Sequence, residues 1–146
     1  MPKFVKILCP IDFEPYSIEA LEMACELAQE RNATIHLLHV ARIPSGDMDV
    51  PLPIVANPRW ERAARGKLER IARDRLEGKV TYLIHVISGI PDSDVARVAK
   101  ELGVDLVVMA THGRKGLSHF ILGSVAEHVI READCPVLTM RPKKRA

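Results

Sequence analysis

The chain has 146 residues, enough for one domain whose core needs no disulfide or metal staple. Apolar residues make up 47% and charged residues 27%, with a net charge of only +2. That balance excludes a largely disordered chain and offers no global field for drawing in nucleic acid.

No apolar run approaches the roughly 18 residues that cross a bilayer. The first residues lead straight into a strand pattern with no signal-peptide core. A cytoplasmic protein with neither membrane nor nucleic-acid partners is expected. Cys9, Cys25 and Cys135 form no Cys-x-x-Cys pair and lie among apolar neighbours, so they read as small core residues. The basic residues at 141–145 read as a solvated tail.

In chain order, residues 4–9 are a short apolar run with β-branched members and read as a buried strand. Ser17 is the expected N-cap of a first helix, with Leu21, Ala24, Cys25 and Ala28 on its apolar face. Residues 34–40 read as a second strand. Four prolines and one glycine within residues 41–58 mark a loop over 41–57. A second helix is expected over 59–77, with Trp60, Ala64, Leu68, Ile71 and Ala72 on one side and Gly78 as its stop.

Residues 80–87 form the third expected strand. Asp92 or Ser93 is the expected cap of a third helix, in which Val95, Val98, Ala99 and Leu102 recur at helical spacing up to Gly103. Residues 104–109 read as the fourth strand, 124–133 as a fourth helix and 136–140 as the last strand. Near-continuous apolar strands alternating with helices predict an α/β fold, an open five-stranded parallel sheet with helices on both faces. Ligands in such sheets bind at the C-terminal ends of the strands, where the winding reverses. Here those ends are Pro10, Ile11 and Asp12, then Val40, then Met109, Ala110 and Thr111.

The most informative stretch is residues 110–124. A strand end enters a loop containing Gly113 and Gly116, and Gly123-Ser124 opens a helix. Glycine permits close backbone approach, and a helix start offers free N–H groups and partial positive charge. Together they make a phosphate cradle, to which Arg114 or Lys115 could add charge and Ser124 a hydroxyl. The alternative is that these glycines only shape a tight connection. Neither a P-loop nor a dinucleotide fingerprint occurs. Asp12, just past the first strand, suits ribose hydroxyls or Mg²⁺, or else stabilises its own loop. A metal held by protein groups alone is not expected. His36 and His39 point to opposite sheet faces, and His112, His119 and His128 have no matching Cys or carboxylate cluster. Gly-x-Ser-x-Gly is absent, which leaves no serine-hydrolase reading.

The spacing Ala110-x2-Gly113-x9-Gly123-Ser124, with residues 7–13, His39-Val40, residues 89–91 and Cys135-Pro136, resembles the universal stress protein family over essentially the whole chain. The family's ATP-binding members carry Gly-x2-Gly-x9-Gly-Ser/Thr, so Ala110 stands where the first glycine is usual. The resemblance implies a Rossmann-like sheet of order 3-2-1-4-5 and an ATP site, with Mg²⁺. Pro10, Ile11 and Asp12 would lie on its ribose side and Val40 at the adenine. Met109, Ala110, His112 and Gly113 would line the loop, and Gly123, Ser124 and Val125 would meet the phosphates. It also implies a homodimer paired through residues 136–141. No catalytic residue is assigned, because no general base is evident. The leading expectation is a nucleotide-responsive regulatory or stress-tolerance protein. The alternatives are a slow ATPase or autophosphorylating enzyme using Ser124, Thr111 or Ser118, and a dimeric interaction module independent of nucleotide.

Overall fold

The computed structural model describes residues 3–42, 57–112 and 122–141. Five strands and four helices alternate: β1 (Lys6–Pro10), α1 (Pro15–Arg31), β2 (Thr34–Arg42), α2 (Pro58–Arg75), β3 (Thr81–Gly89), α3 (Pro91–Leu102), β4 (Leu106–Ala110), α4 (Ser124–Glu132) and β5 (Val137–Met140). The sheet order is β3-β2-β1-β4-β5 and every pairing is parallel, as the resemblance implies.

Each strand contributes alternate side chains to two separate cores. Ile7, Cys9, Ile35, Leu37 and Val108 face α1 and α2, where Leu21, Ala24, Leu68 and Ala72 meet them. Leu8, Leu38, Val40, Val107 and Met109 face α3 and α4, against Val95, Ala99, Ala126 and Val129. Burial on both faces is why these strands read as continuous apolar runs. Small residues dominate the buried stripe of α1, including Ala20, Ala24, Cys25 and Ala28. They let that helix approach the sheet closely.

Several local expectations are corrected. Ser17 does not cap α1, which starts two residues earlier with Pro15 in its first turn and Glu14 as N-cap. Proline is suited to that position because its missing N–H would have no partner there. Ser17 is instead buried, and its hydroxyl donates to the Glu14 carbonyl at 2.9 Å. Neither Asp92 nor Ser93 caps α3. Its N-cap is Ile90, followed by Pro91, and Asp94 Oδ2 reaches back to accept from the Ile90 N–H at 2.8 Å. Residues 41 and 42, expected in the loop, extend β2 along β3. Residues 43–56 of that loop lie outside the described residues.

Trp60 shares the helical stripe of Ala64, Leu68 and Ala72 but stands 47% exposed, one turn before the first buried position. The α2 helix ends at Arg75 with Leu76 as its C-cap, and Gly78, the expected stop, lies in the turn beyond with φ 74°. Gly103 ends α3 in the left-handed conformation that glycine adopts without cost. The three cysteines are free. Burial pushes the Cys9 thiol up to about 12 and raises Cys25 and Cys135 as well, which makes all three poor nucleophiles.

Candidate functional site

The winding reverses between β1 and β4, which are adjacent in the sheet although three helices and two strands separate them in sequence. Their C-terminal ends therefore bring Pro10, Ile11 and Asp12 beside Met109, Ala110, Thr111 and His112. Val40, near the end of β2, joins them along the same edge. Gly123, Ser124 and Val125 return to this edge at the start of α4, since the Gly123 N–H donates to the Thr111 carbonyl at 2.7 Å. Gly113, Arg114 and Gly116, with Lys115 and Ser118, lie outside the described residues.

At Gly123 the requirement for glycine is one of space. Its φ is −62°, a value open to any residue. A Cβ there would stand 2.7 Å from the Thr111 carbonyl oxygen and 3.6 Å from His112 Cα. The start of α4 is thus pressed against the end of β4, leaving no room for a side chain between them. Among the described residues no side chain caps this helix, and its first-turn N–H groups suit an anion. Ser124, its first residue, is exposed.

Ala110 is an ordinary strand residue in register with Met140, and its φ is not positive. The missing first glycine of the spacing therefore costs the backbone no strain.

Thr111 and His112 form a short relay. The Thr111 hydroxyl, 5% exposed, lies 3.2 Å from the Met140 carbonyl and 2.8 Å from His112 Nδ1. The carbonyl can only accept, so the hydroxyl hydrogen points to it and Nδ1–H donates to the hydroxyl. His112 Nε2 is then left as the free ring nitrogen. It is buried and meets no partner among the described residues. A buried polar atom without a partner at a strand end is suited to receive a ligand.

Asp12 is exposed, and its Oδ1 accepts from the Glu14 N–H at 2.9 Å. The loop-stabilising role and an outward-facing carboxylate coexist in one residue. Phe13, next to it, adopts φ 68°, in the region a bulky residue rarely enters. The Phe13 ring packs on the His39 ring with centroids 4.3 Å apart, and Lys67 Nζ lies 5.2 Å from the Phe13 centroid. His39 Nδ1 is 2.7 Å from the Ile11 carbonyl oxygen. Burial holds the His39 pKa below the ordinary histidine value, and Lys67 acts in the same direction. The Ile11 bond and Asp12 oppose the shift. Sequence reasoning assigned no role to the His39 side chain or to Phe13. An aromatic residue gives no signal for a left-handed backbone.

His36 and His39 lie on opposite faces as expected. His36 pairs instead with His85 on β3, their ring nitrogens 2.9 Å apart. Among the described residues no cluster of three His, Cys, Asp or Glu side chains could hold a metal ion. Among them, too, no helix is long and apolar enough to cross a membrane.

Residues 3–141 match the family model described as "Universal stress protein family". Universal stress protein MJ0531 of Methanocaldococcus jannaschii is 30% identical over 149 aligned positions, covering 97% of this chain and 85% of the relative. Among solved structures, MJ0577 of the same organism superposes with a TM-score of 0.76 at 25% identity, covering 98% of this chain and 99% of that one. A universal stress protein from Archaeoglobus fulgidus, solved in complex with dAMP, superposes with a TM-score of 0.66 over 95% of this chain and 98% of its own. At 20% identity, that likeness concerns the fold.

Proposed function

The chain belongs to the universal stress protein family, and on that premise we propose that it binds ATP with Mg²⁺ and acts as a nucleotide-responsive regulatory protein. The observation that carries this reading is the contact at Gly123, where α4 approaches β4 so closely that a Cβ would meet the Thr111 carbonyl at 2.7 Å. It sets a helix start with no side-chain cap among the described residues at the switch point of a parallel sheet, the position at which such sheets bind phosphorylated ligands. His112 Nε2, buried and without a partner among the described residues, fits a polar ligand at the same edge. The dAMP complex of the Archaeoglobus relative is in keeping with an adenine nucleotide as that ligand.

In this reading Asp12 accepts from ribose hydroxyls or helps hold Mg²⁺, and Val40 lies beside the base. Met109, Ala110, His112 and Gly113 line the loop, while Gly123, Ser124 and Val125 bind phosphate. Bound nucleotide would act by changing contacts with a second copy of the chain or with another protein. A slow hydrolytic or autophosphorylating activity is the second reading. Thr111 is a poor acceptor for it, because its hydroxyl is buried and bonded to the Met140 carbonyl. Exposed Ser124 in the first turn of α4 is the better one.

The test is to purify the protein without added nucleotide, denature it and identify released small molecules by chromatography and mass spectrometry. Adenine nucleotide near one per chain is the expected result. An empty protein that also fails to bind millimolar Mg-ATP would overturn the proposal and favour the dimeric interaction module.

A further inference from the structure

The geometry points to His39 as a positioning residue that sets the Asp12 carboxylate for the sugar of the nucleotide; this inference rests on the nucleotide reading above. Asp12 sits in the turn between β1 and α1, and its orientation depends on the residues either side of it. Both neighbours are held by one imidazole. On the N-terminal side, the Ile11 N–H donates to the Leu38 carbonyl at 2.8 Å, which continues the β1–β2 ladder. The Ile11 carbonyl accepts from His39 Nδ1 at 2.7 Å. Backbone and side chain of β2 therefore fix both polar groups of Ile11.

On the C-terminal side, Phe13 adopts φ 68°, a conformation that persists only where surroundings over-determine it. The His39 ring is part of those surroundings, packed at 4.3 Å between centroids and 33° between planes. Lys67 on α2 adds a cation 5.2 Å from the Phe13 centroid. Asp12 itself is then oriented by its N–H to Ser17 Oγ at 3.4 Å and by Oδ1 accepting from the Glu14 N–H at 2.9 Å. Removing the imidazole releases the carbonyl before Asp12 and the ring after it together. The carboxylate then loses its fixed direction while the β1–β2 ladder remains.

A carbonyl oxygen only accepts, so Nδ1 carries the hydrogen of neutral His39. His39→Phe keeps an aromatic ring for Phe13 but has no donor. His39→Asn keeps a donor near the Nδ1 position. The readout is discrimination between Mg-ATP and Mg-2′,3′-dideoxy-ATP by titration calorimetry, with circular-dichroism melting of each variant to establish that it is folded. Bonds from sugar hydroxyls to a carboxylate imply about tenfold or greater preference for ATP in the wild type. His39→Phe is expected to reduce this preference to within about twofold, and His39→Asn to recover most of it. Full preference in folded His39→Phe overturns the role of His39 and leaves the nucleotide site standing. Equal binding of the two ligands by the wild type overturns the sugar role of Asp12 along with it. No binding of either ligand overturns the nucleotide reading itself. Nitrogen-15 NMR of the wild type is independent of both ligand and variant folding, and is expected to show the Nδ1–H tautomer. The Nε2–H tautomer would remove the bond on which the inference stands.

Discussion

A methyl group on Gly123 has nowhere to go, because it would stand 2.7 Å from a backbone oxygen that no rotamer change can move. Gly123→Ala must therefore shift the start of α4 away from β4 and reorient the N–H groups offered to phosphate. We expect nucleotide affinity to fall by about tenfold or more, the effect of losing one charge-assisted hydrogen bond, with a lower melting temperature. Calorimetric titration and thermal melting measure the two effects separately. Unchanged affinity in a folded variant would count against phosphate at this helix start. Ala110 makes the opposite case. It occupies a regular strand position in register with Met140, so glycine would add backbone freedom without relieving any strain. Ala110→Gly is expected to destabilise the fold by about 0.5–1 kcal/mol in urea unfolding and to leave affinity for nucleotide unimproved. A gain in affinity would mean that the Cβ of Ala110 obstructs the ligand.

Between residue and fold, α3 shows how a local device holds an element. Gly89 ends β3, Ile90 turns the chain and Pro91 starts the helix, while Asp94 Oδ2 bonds the Ile90 N–H at 2.8 Å. A Cβ on Gly89 would lie 2.0 Å from that same Oδ2. The glycine and the aspartate are one unit. Asp94→Ala is expected to cost about 0.5–2 kcal/mol, the usual range for a lost helix-terminal side-chain bond. Gly89→Ala should act by the same route, so the double variant should cost little more than the larger single effect. Urea unfolding of the three variants checks this, and additive costs would show that the two residues act independently. In the sequence, Asp92 and Ser93 stand out as caps because their side chains lie just ahead of the apolar repeat. Pro15, Pro58 and Pro91 were the more reliable markers, each standing at or near N1 of its helix. Strand and helix identities were legible because both sheet faces are buried and the apolar periods are unbroken. The switch-point residues were legible through their place at strand ends. The His39 bond and the Phe13 conformation were not, since both join residues far apart in sequence or run against local preference. Gly113, Arg114 and Gly116 lie outside the described residues, and their assignment to the site rests on spacing alone.

Two properties belong to the whole molecule. The first is its dependence on pH. His36, His39 and His85 all have pKa values held below the ordinary histidine value, chiefly by burial. His85 and Lys6 add repulsion at His36, Arg65 does so at His85, and Lys67 does so at His39, where Asp12 opposes it. The folded protein therefore binds fewer protons than the unfolded chain below the ordinary value of about 6.5. Stability is full above that pH and is lost as the pH falls towards the depressed folded-state values. Urea midpoints measured between pH 7.5 and pH 5 should decline. The decline should flatten in His36→Leu combined with His85→Gln, which removes the paired imidazoles whose nitrogens lie 2.9 Å apart. An equally steep decline in that variant would assign the effect to other groups. The second property is assembly. Among the described residues the strand β5 pairs with β4 on one side only, so its outer edge offers backbone groups to another chain. Leu138 on that strand is 38% exposed and lines a recess of about 300 Å³ with Phe4, Leu27 and Arg31. The homodimer that the family resemblance implies, if paired through β5, would bury this apolar surface as well as the edge. Leu138→Lys sets a charge at the centre of the strand and is expected to convert a dimer to a monomer in sedimentation equilibrium, with the thermal unfolding of the chain retained. The opposite edge supplies the control. On β3, Leu83 is 51% exposed, and Leu83→Lys should leave the dimer intact. A dimer broken by Leu83→Lys but not by Leu138→Lys would move the interface to β3, and a wild type that is monomeric at tens of micromolar would remove it altogether.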